Sequence, residues 1–206
     1  MKIGNFGSFD PALKEKGIVG LTNSSKLDEE VWNEYYNDWD KLGIDAEEII
    51  AKYRNTSLEV IAGVDIKNLP EGKERETFVK TRINHQFFRD TILVSYNTRC
   101  AITGLNIPEL LIASHIVPWA KDKANRLHPT NGICLNALHD KAFDKGLLTI
   151  TNDYKIKVSK YINDFEKEPS VVSLVKDFDG KKIILPNRFL PASEFLEYHN
   201  NHIFIR

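Results

Sequence analysis

Short apolar runs between residues 110 and 158 constrain the fold more than any other feature of the chain. Two of them, Leu110–Val117 and Gly132–Asn136, are the length of strands. The next run, Ala137–Lys145, has helical spacing and ends at a glycine. Leu147–Thr151 and Tyr154–Val158 then predict a hairpin. This order of strand, strand, short helix and hairpin predicts an α+β fold.

The N-terminal part of the chain favours helices instead. A serine pair precedes a run in which apolar residues recur at steps of four and three, which predicts a helix that ends at Gly43. The apolar positions of this run are Leu27, Val31, Tyr35, Trp39 and Leu42. A second helix is expected over Asp45–Tyr53, and a short strand at Leu58–Val64.

A long helix is expected next, from about Thr77 to Tyr96. Its predicted buried stripe is Phe78, Ile83, Phe87 and Ile92. The polar stretch near residues 68–75 is the candidate boundary, so we expect a mainly helical region over residues 1–74 and a second domain over residues 75–206. A last helix is expected over Glu194–His199, with Ser193 as its cap.

Charge is distributed unevenly along the chain, although the net charge is only −1. Residues 1–70 hold 8 Lys+Arg against 13 Asp+Glu, residues 71–160 hold 14 against 9, and residues 161–206 hold 6 against 7. The three differences, −5, +5 and −1, sum to the net charge. Phosphate contacts need local cations, so a nucleic-acid partner for the basic middle segment is compatible with this composition.

Cysteine content and hydropathy indicate in which cellular compartment the protein is expected. The 2 cysteines, Cys100 and Cys134, are too few for a disulfide framework or a four-cysteine zinc site, which fits a reducing cytoplasm. We also expect no secretion signal and no membrane-spanning segment, since no apolar run approaches the necessary length.

Three residues of the basic segment have the chemistry needed to hydrolyse a phosphodiester. Hydrolysis needs a base that deprotonates water, a cation that stabilises the developing charge, and a group that holds the base. His115, on the first strand, offers the base because an imidazole titrates near neutral pH. His139, on the short helix, offers a nitrogen ligand for a divalent cation. Asn131, between them, can hydrogen-bond the backbone around His115 and fix its orientation.

At these residues the sequence resembles the HNH nuclease superfamily, whose ββα-metal fold has the same order of elements. The three name-giving positions fall on His115, Asn131 and His139, within S-H-I-V-P-W and N-G-I-C-L-N-A-L-H. A bacterial branch described as restriction endonucleases also has a C-x-x-T-G opening and an H-x-x-F-D-x-G ending. Both occur here, the first from Cys100 and the second from His139.

The resemblance implies a metal-dependent endonuclease that hydrolyses DNA, with RNA left open, in restriction or anti-phage defence. Mg²⁺ or Mn²⁺ is expected ahead of Zn²⁺ as the cofactor. Cutting of both strands by one site per chain favours a homodimer, whereas nicking does not need one. The alternative is a catalytically decayed HNH-like module that binds nucleic acid. A third interpretation makes the N-terminal region a sensing or interaction part that gates the nuclease.

One departure from the family pattern concerns the metal. Many relatives carry Asp before the base, whereas this chain has Ser114, and a hydroxyl is a weaker ligand for a hard cation. Either a carboxylate substitutes, with Asp144 or Asp140 nearest in sequence, or His139, waters and substrate phosphate hold the metal. Asp144 could instead brace the helix end. The paired C-x-x-C knuckles of many HNH domains are also absent from the sequence.

Cations near the motif are candidates for phosphate contacts. They are Lys121, Lys123, Arg126, Lys141 and Lys145. Arg126 and Lys141 are the strongest candidates, because they lie on the loop and the helix that are expected to face the cleft.

Overall fold

The chain forms two compact units, and the boundary between them falls inside one long helix. In the computed structural model, which describes residues 3–21, 23–64 and 72–206, the units are Met1–Ile83 and Asn84–Arg206. The described part of the first unit is helical, and the second combines helices with two small antiparallel sheets. The expected α+β class is therefore confirmed.

A capping box begins the first long helix of the N-terminal unit. The Ser25 side chain accepts from the Asp28 N–H, and the Asp28 carboxylate accepts from the Ser25 N–H. The described helices that end before residue 65 are α1 (Ile3–Phe6), α2 (Pro11–Glu15), α3 (Lys26–Tyr35), α4 (Trp39–Tyr53) and α5 (Leu58–Ile61).

The predicted helix end at Gly43 is wrong, because the chain turns earlier. Helix α3 ends at Tyr35, and the Asp38 side chain caps α4 by accepting from the Lys41 N–H at 2.9 Å. Trp39 and Leu42, which the prediction assigned to the first helix, belong to α4. Gly43 is buried inside α4, so the helix continues through it despite the penalty of about 1 kcal/mol for glycine.

The predicted strand at Leu58–Val64 is also wrong, since helix α5 occupies its first four residues, Leu58–Ile61. Ser57 stands at its N-cap position and Glu59 lies in its first turn, both typical of a helix start. Residues 68–71 of the predicted boundary lie outside the described residues.

Helix α6 (Gly72–Ser95) carries a buried face that differs from the predicted stripe. Ile83 and Ile92 are buried as expected, but Phe78 is 40% exposed and Phe88, rather than Phe87, is fully buried. The prediction placed the middle of the stripe one residue too early. This shift matters because Phe88 reaches the functional site described below.

Two strands and a helix form a ββα motif in the second unit. Strand β1 (Leu111–His115) pairs antiparallel with β2 (Gly132–Asn136), so that His115 lies opposite Gly132. Helix α7 (Ala137–Asp144) follows directly, and the Asn136 side chain caps it by accepting from the His139 N–H at 2.9 Å.

The rest of this unit packs around that motif. Its elements are the 3₁₀ turns Pro108–Leu110, Pro129–Asn131, Lys160–Phe165 and Lys176–Phe178, strands β3 (Leu148–Ile150) and β4 (Ile156–Val158), and helices α8 (Pro169–Leu174) and α9 (Ser193–His202). Strands β3 and β4 form the expected hairpin. Ser193 is the first residue of α9 rather than its cap; Ala192 holds the N-cap position without a side-chain hydrogen bond.

A buried histidine of α9, His199, contacts the last turn of α7. The His199 ring stacks on Phe143, with centroids 3.7 Å apart, and its Nε2 donates to the Phe143 carbonyl at 3.1 Å. Its Nδ1 then accepts from the Thr149 hydroxyl at 2.8 Å. Burial lowers the pKa of His199 to about 4, so the ring is neutral at neutral pH.

The described residues also bear on membrane association. None of their helices combines the length and the apolarity that a bilayer crossing needs.

Candidate active site

His115 lies at the end of β1 with one ring nitrogen tied to the backbone. Its Nε2 is 2.8 Å from the Arg126 carbonyl oxygen, which can only accept, so Nε2 carries the proton and Nδ1 keeps a lone pair. In the described part of the chain, no group is hydrogen-bonded to Nδ1. The ring therefore has one anchored nitrogen and one nitrogen free to act as a base.

Aromatic side chains fix the plane of this ring. Phe88 of α6 stacks face to face on His115, with centroids 3.9 Å apart and planes 10° from parallel. Trp119 meets the same ring edge-on, with centroids 5.4 Å apart. Burial lowers the pKa of His115; the Arg126 carbonyl opposes this shift and nearby His85 adds to it. His115 is thus biased toward the neutral form that a general base needs.

Asn131 connects the loop between the two strands to the end of β1. Its side-chain oxygen accepts from the Val117 N–H at 2.8 Å, and its amide donates to the carbonyls of Val117 and Asn125, each at 3.3 Å. The Asn131 side chain is fully buried. Because the carbonyl that anchors His115 belongs to the same loop, these bonds have the geometry expected of a residue that orients the base.

His139, in the first turn of α7, is buried with contacts on both ring nitrogens. Nε2 donates to the Leu174 carbonyl at 2.8 Å, and Nδ1 lies 3.1 Å from the Asn136 side-chain oxygen. The Phe178 ring meets it edge-on, with centroids 5.2 Å apart. His139 is only 1% exposed. A cation could bind this side chain only if one protein contact were given up.

Cys100 lies beside His139 and has an unusual acidity. Its burial raises the pKa of the thiol, but the contact with His139 and hydrogen bonds with Thr103 and backbone N–H groups outweigh burial and bring the pKa to about 7. Its sulfur also accepts from the Asn136 N–H at 3.3 Å. Cys100 and Cys134 are free and buried, so the described structure contains no disulfide between them.

The predicted metal ligands do not form a complete site in this arrangement. Ser114 is buried, and its hydroxyl oxygen has no hydrogen-bond partner among the described residues. Asp144 is exposed at the end of α7, where loss of surrounding water and neighbouring Asp140 raise its pKa. No group of three or more His, Cys, Asp or Glu side chains that could hold a metal occurs among the described residues. With His139 engaged as well, the residues as arranged do not fit a bound cation.

The predicted phosphate-binding cations differ in exposure and in their contacts. The Arg126 guanidinium lies over the Trp119 ring, 4.8 Å from its centroid, and so close to the base. Four lysines of the predicted phosphate-binding set are exposed, as such contacts require; they are Lys121, Lys123, Lys141 and Lys145.

Sequence reasoning missed the contributions of α6 and of the segment after β4. His85 stacks on Trp119 with centroids 4.1 Å apart, and Phe88 covers His115. The available signal was the aromatic, basic stretch over residues 82–89, which holds both residues and is separated from Cys100 by ten residues. No sequence signal pointed to Leu174 and Phe178, because their contacts with His139 span more than thirty residues.

The fold and the site together define a ββα module, with one histidine at the end of the first strand and a second histidine on the helix. Residues 100–151 match the family model of the HNH endonucleases. The chain therefore carries an HNH endonuclease domain, and the resemblance to this family is confirmed. No curated protein matches the chain.

A solved structure described as a "Modification dependent TagI restriction endonuclease" is also similar. It shares 18% sequence identity, with a TM-score of 0.41, over 70% of this chain and 42% of that chain. This chain thus spans less than half the length of that protein.

Proposed function

We propose that this chain is an endonuclease that hydrolyses phosphodiester bonds in DNA and depends on a divalent cation. The HNH domain over residues 100–151 supports the reaction class. The observation that carries the proposal is the anchoring of His115, whose Nε2 gives its hydrogen bond to the Arg126 carbonyl. A neutral imidazole with one free lone pair is what a general base needs at neutral pH.

In the proposed reaction, Nδ1 of His115 takes a proton from the attacking water. The hydroxide adds to phosphorus, the bond from phosphorus to the leaving oxygen breaks, and the leaving oxygen takes up a proton from solvent water. Asn131 does not touch the substrate. It holds the loop so that the Arg126 carbonyl stays in place against Nε2. Arg126 and Lys141 supply positive charge to the phosphates, with Lys121 and Lys145 as further contacts.

The cation requirement follows from the family, in which a divalent metal is general. We propose Mg²⁺ or Mn²⁺, with His139 as the protein ligand and Ser114 and Asp144 as weaker candidates. The unsatisfied hydroxyl of Ser114 supports its inclusion, since a buried oxygen without a partner is costly unless something binds it. Cation binding at His139 requires its ring to exchange a protein partner.

A plasmid-nicking assay tests the proposal. With Mg²⁺ or Mn²⁺ present, His115→Ala is expected to cut about 10²- to 10⁴-fold more slowly than the unaltered protein. His128→Ala is the matched control, because it removes a second half-buried imidazole from the same loop, one whose ring bonds Thr130. EDTA is expected to stop cutting. Equal rates for His115→Ala and the unaltered protein contradict the assignment of the base.

The second candidate is a decayed HNH module that binds nucleic acid without cutting it. Ser114 at the usual aspartate position and the engaged ring of His139 favour this candidate. It predicts DNA binding with neither Mn²⁺-dependent nicking nor stabilisation of the fold by Mn²⁺. The nicking assay, run beside a thermal melt with and without Mn²⁺, therefore separates the two functions.

The setting and assembly are part of the same proposal. The family branch supports restriction or anti-phage defence in the cytoplasm. We retain residues 1–74 as a sensing, interaction or structural region and residues 75–206 as the nuclease domain. A homodimer on DNA is expected if both strands are cut. Analytical ultracentrifugation with and without a DNA duplex tests the homodimer, and a monomer that makes double-strand breaks contradicts it.

A further inference from the structure

Two rings from one turn of α6 pair with two rings at the end of β1 and just beyond it. His85 and Phe88 are three residues apart, so their side chains are neighbours on one side of the helix. Phe88 stacks on His115. His85 stacks on Trp119, with centroids 4.1 Å apart and planes 16° from parallel. Since Trp119 also meets His115 edge-on, the four rings form one contiguous cluster around the proposed base.

Trp119 contacts both the proposed base and the residue that anchors it. The Arg126 guanidinium lies over the indole, 4.8 Å from the ring centroid. The backbone carbonyl of the same arginine accepts from Nε2 of His115 at 2.8 Å. A displaced indole would therefore disturb the edge of the His115 ring and the anchor of its Nε2 together.

The stack on His85 fastens Trp119 to a firmer element. Trp119 is half-buried and lies in a turn outside any helix or strand, closed by the bond from the Lys121 N–H to the Pro118 carbonyl at 2.8 Å. Turns are more mobile than the elements that they connect. Helix α6, in contrast, is fixed to the ββα motif by Arg89, which donates to two backbone carbonyls at and just before the start of β1. The exposed His85 ring thus joins a turn side chain to an anchored helix.

We propose that His85 is a positioning residue for the hydrolysis and acts through the Trp119 ring. Its imidazole holds the indole, and the indole holds the Arg126 side chain and the edge of His115. The inference rests on the proposed function of His115 as the base, and it adds a residue outside the stretch 100–151 that matches the family. Loss of the stack misplaces the base and so lowers kcat, with little effect on KM.

Three other roles of His85 predict different results. A residue that only supports the fold leaves the kcat of a folded variant unchanged. A direct phosphate contact raises KM when it is removed. An electrostatic role is the third, since His85 lowers the pKa of His115. His85→Phe keeps a stacking ring but removes the titrating nitrogens, so it separates the stack from the charge and from a phosphate contact.

Steady-state plasmid nicking by the full chain with Mn²⁺ measures these differences. His85→Ala is expected to lower kcat about 5- to 50-fold and to change KM less than about 2-fold. His85→Phe is expected to restore kcat to within about 3-fold of the unaltered protein. His202→Ala is the matched control, because it removes another exposed imidazole, which stacks on Tyr198 with centroids 4.4 Å apart. Unchanged kcat in a folded His85→Ala variant, or His85→Phe as slow as His85→Ala, overturns the proposal.

The Nε2 proton of His115 gives a second readout that needs neither cation nor DNA. In protein with isotope-labelled histidine, its NMR signal reports exchange with water, which the hydrogen bond to the Arg126 carbonyl slows. His85→Ala is expected to speed this exchange at least about 5-fold, and His85→Phe to leave it within about 2-fold. His202→Ala is expected to leave it unchanged. Unchanged exchange in His85→Ala contradicts a positioning role.

A double-mutant cycle tests the route through the indole. In a Trp119→Leu background the stacking partner is already gone, so His85→Ala is expected to change the exchange of the His115 proton less than about 2-fold. An effect as large as in the unaltered background would show that His85 does not act through Trp119.

The outcomes separate the positioning role from the function on which it rests. Nicking that requires His115, together with unchanged kcat and unchanged proton exchange in His85→Ala, overturns the positioning role alone. Nicking by His115→Ala at the rate of the unaltered protein overturns the assignment of the base, and with it any role of His85 in the hydrolysis. Slower nicking and faster exchange in His85→Ala, both reversed in His85→Phe, support both.

Discussion

The buried side chain of His199 makes the stability of the C-terminal unit depend on pH, and its surroundings set the size of that effect. The ring is buried, stacks on Phe143, and bonds through both nitrogens as a neutral imidazole. Its folded pKa of about 4 lies below the unfolded value, so the unfolded chain takes up the proton first as pH falls. A group of this kind stabilises the fold fully above its unfolded pKa and loses that contribution as pH falls toward its folded pKa.

The loss can be worked out from the two pKa values. With about 4 in the folded state and about 6.5 in the unfolded state, the free energy of unfolding falls by about 2 kcal/mol between about pH 7.5 and about pH 5. Replacing His199 with glutamine removes this term. The variant is also less stable at the higher pH by about 1–3 kcal/mol, because buried hydrogen bonds are lost.

Urea denaturation at the two pH values measures this effect. The unaltered protein and His202→Gln, a control at an exposed histidine of the same helix, are expected to lose stability in parallel as the pH falls. His199→Gln is expected to lose about 2 kcal/mol less than either. The reasoning is refuted if His199→Gln loses as much stability as the unaltered protein between the two pH values.

Three further predictions concern the base and the strand beside it. A methyl group at Gly132 would lie 2.3 Å from Cδ1 of Ile92, so Gly132→Ala is expected to lower the free energy of unfolding by about 1–3 kcal/mol; wild-type stability in urea would contradict this. Asn131→Ala leaves the buried backbone groups of Val117 without partners and is expected to cost about 2–4 kcal/mol and to slow nicking; a stable, fully active variant would argue against its holding role. Because burial lowers the pKa of His115, kcat/KM for nicking is expected to rise with pH along an acid limb whose midpoint lies below about 6.5, and a midpoint above neutrality would exclude His115 as the base.

The parts of the fold that are determined by residues close together in the sequence could be predicted from the sequence. The β1–β2–α7 order follows from the lengths of its apolar runs, and the motif places His115, Asn131 and His139 on consecutive elements. The match to the HNH endonucleases confirms the family but tests no individual site residue. The roles of these residues therefore stay predictions.

The errors arose where distant packing decides the outcome. Glycine commonly follows the last residue of a helix, which predicts a helix end at Gly43, yet Gly43 is buried inside α4. The stripe on α6 was misplaced by one residue, since periodicity alone did not separate Phe87 from Phe88. The contacts of Leu174 and Phe178 with His139 depend on the chain folding back over α7, which no local pattern records.

The support that α6 gives to the ββα motif has a consequence for transplanting this domain into another protein. Phe88 forms one wall of the His115 ring, and the Arg89 guanidinium donates to the Leu111 carbonyl at 2.6 Å and to the Pro108 carbonyl at 3.0 Å. A fragment cut to the residues that define the family would carry the histidines without the helix that holds them. The smallest fragment that keeps the site intact is therefore expected to begin before Phe88, and chimeras joined at residue 100 would leave the His115 ring without its stacking partner.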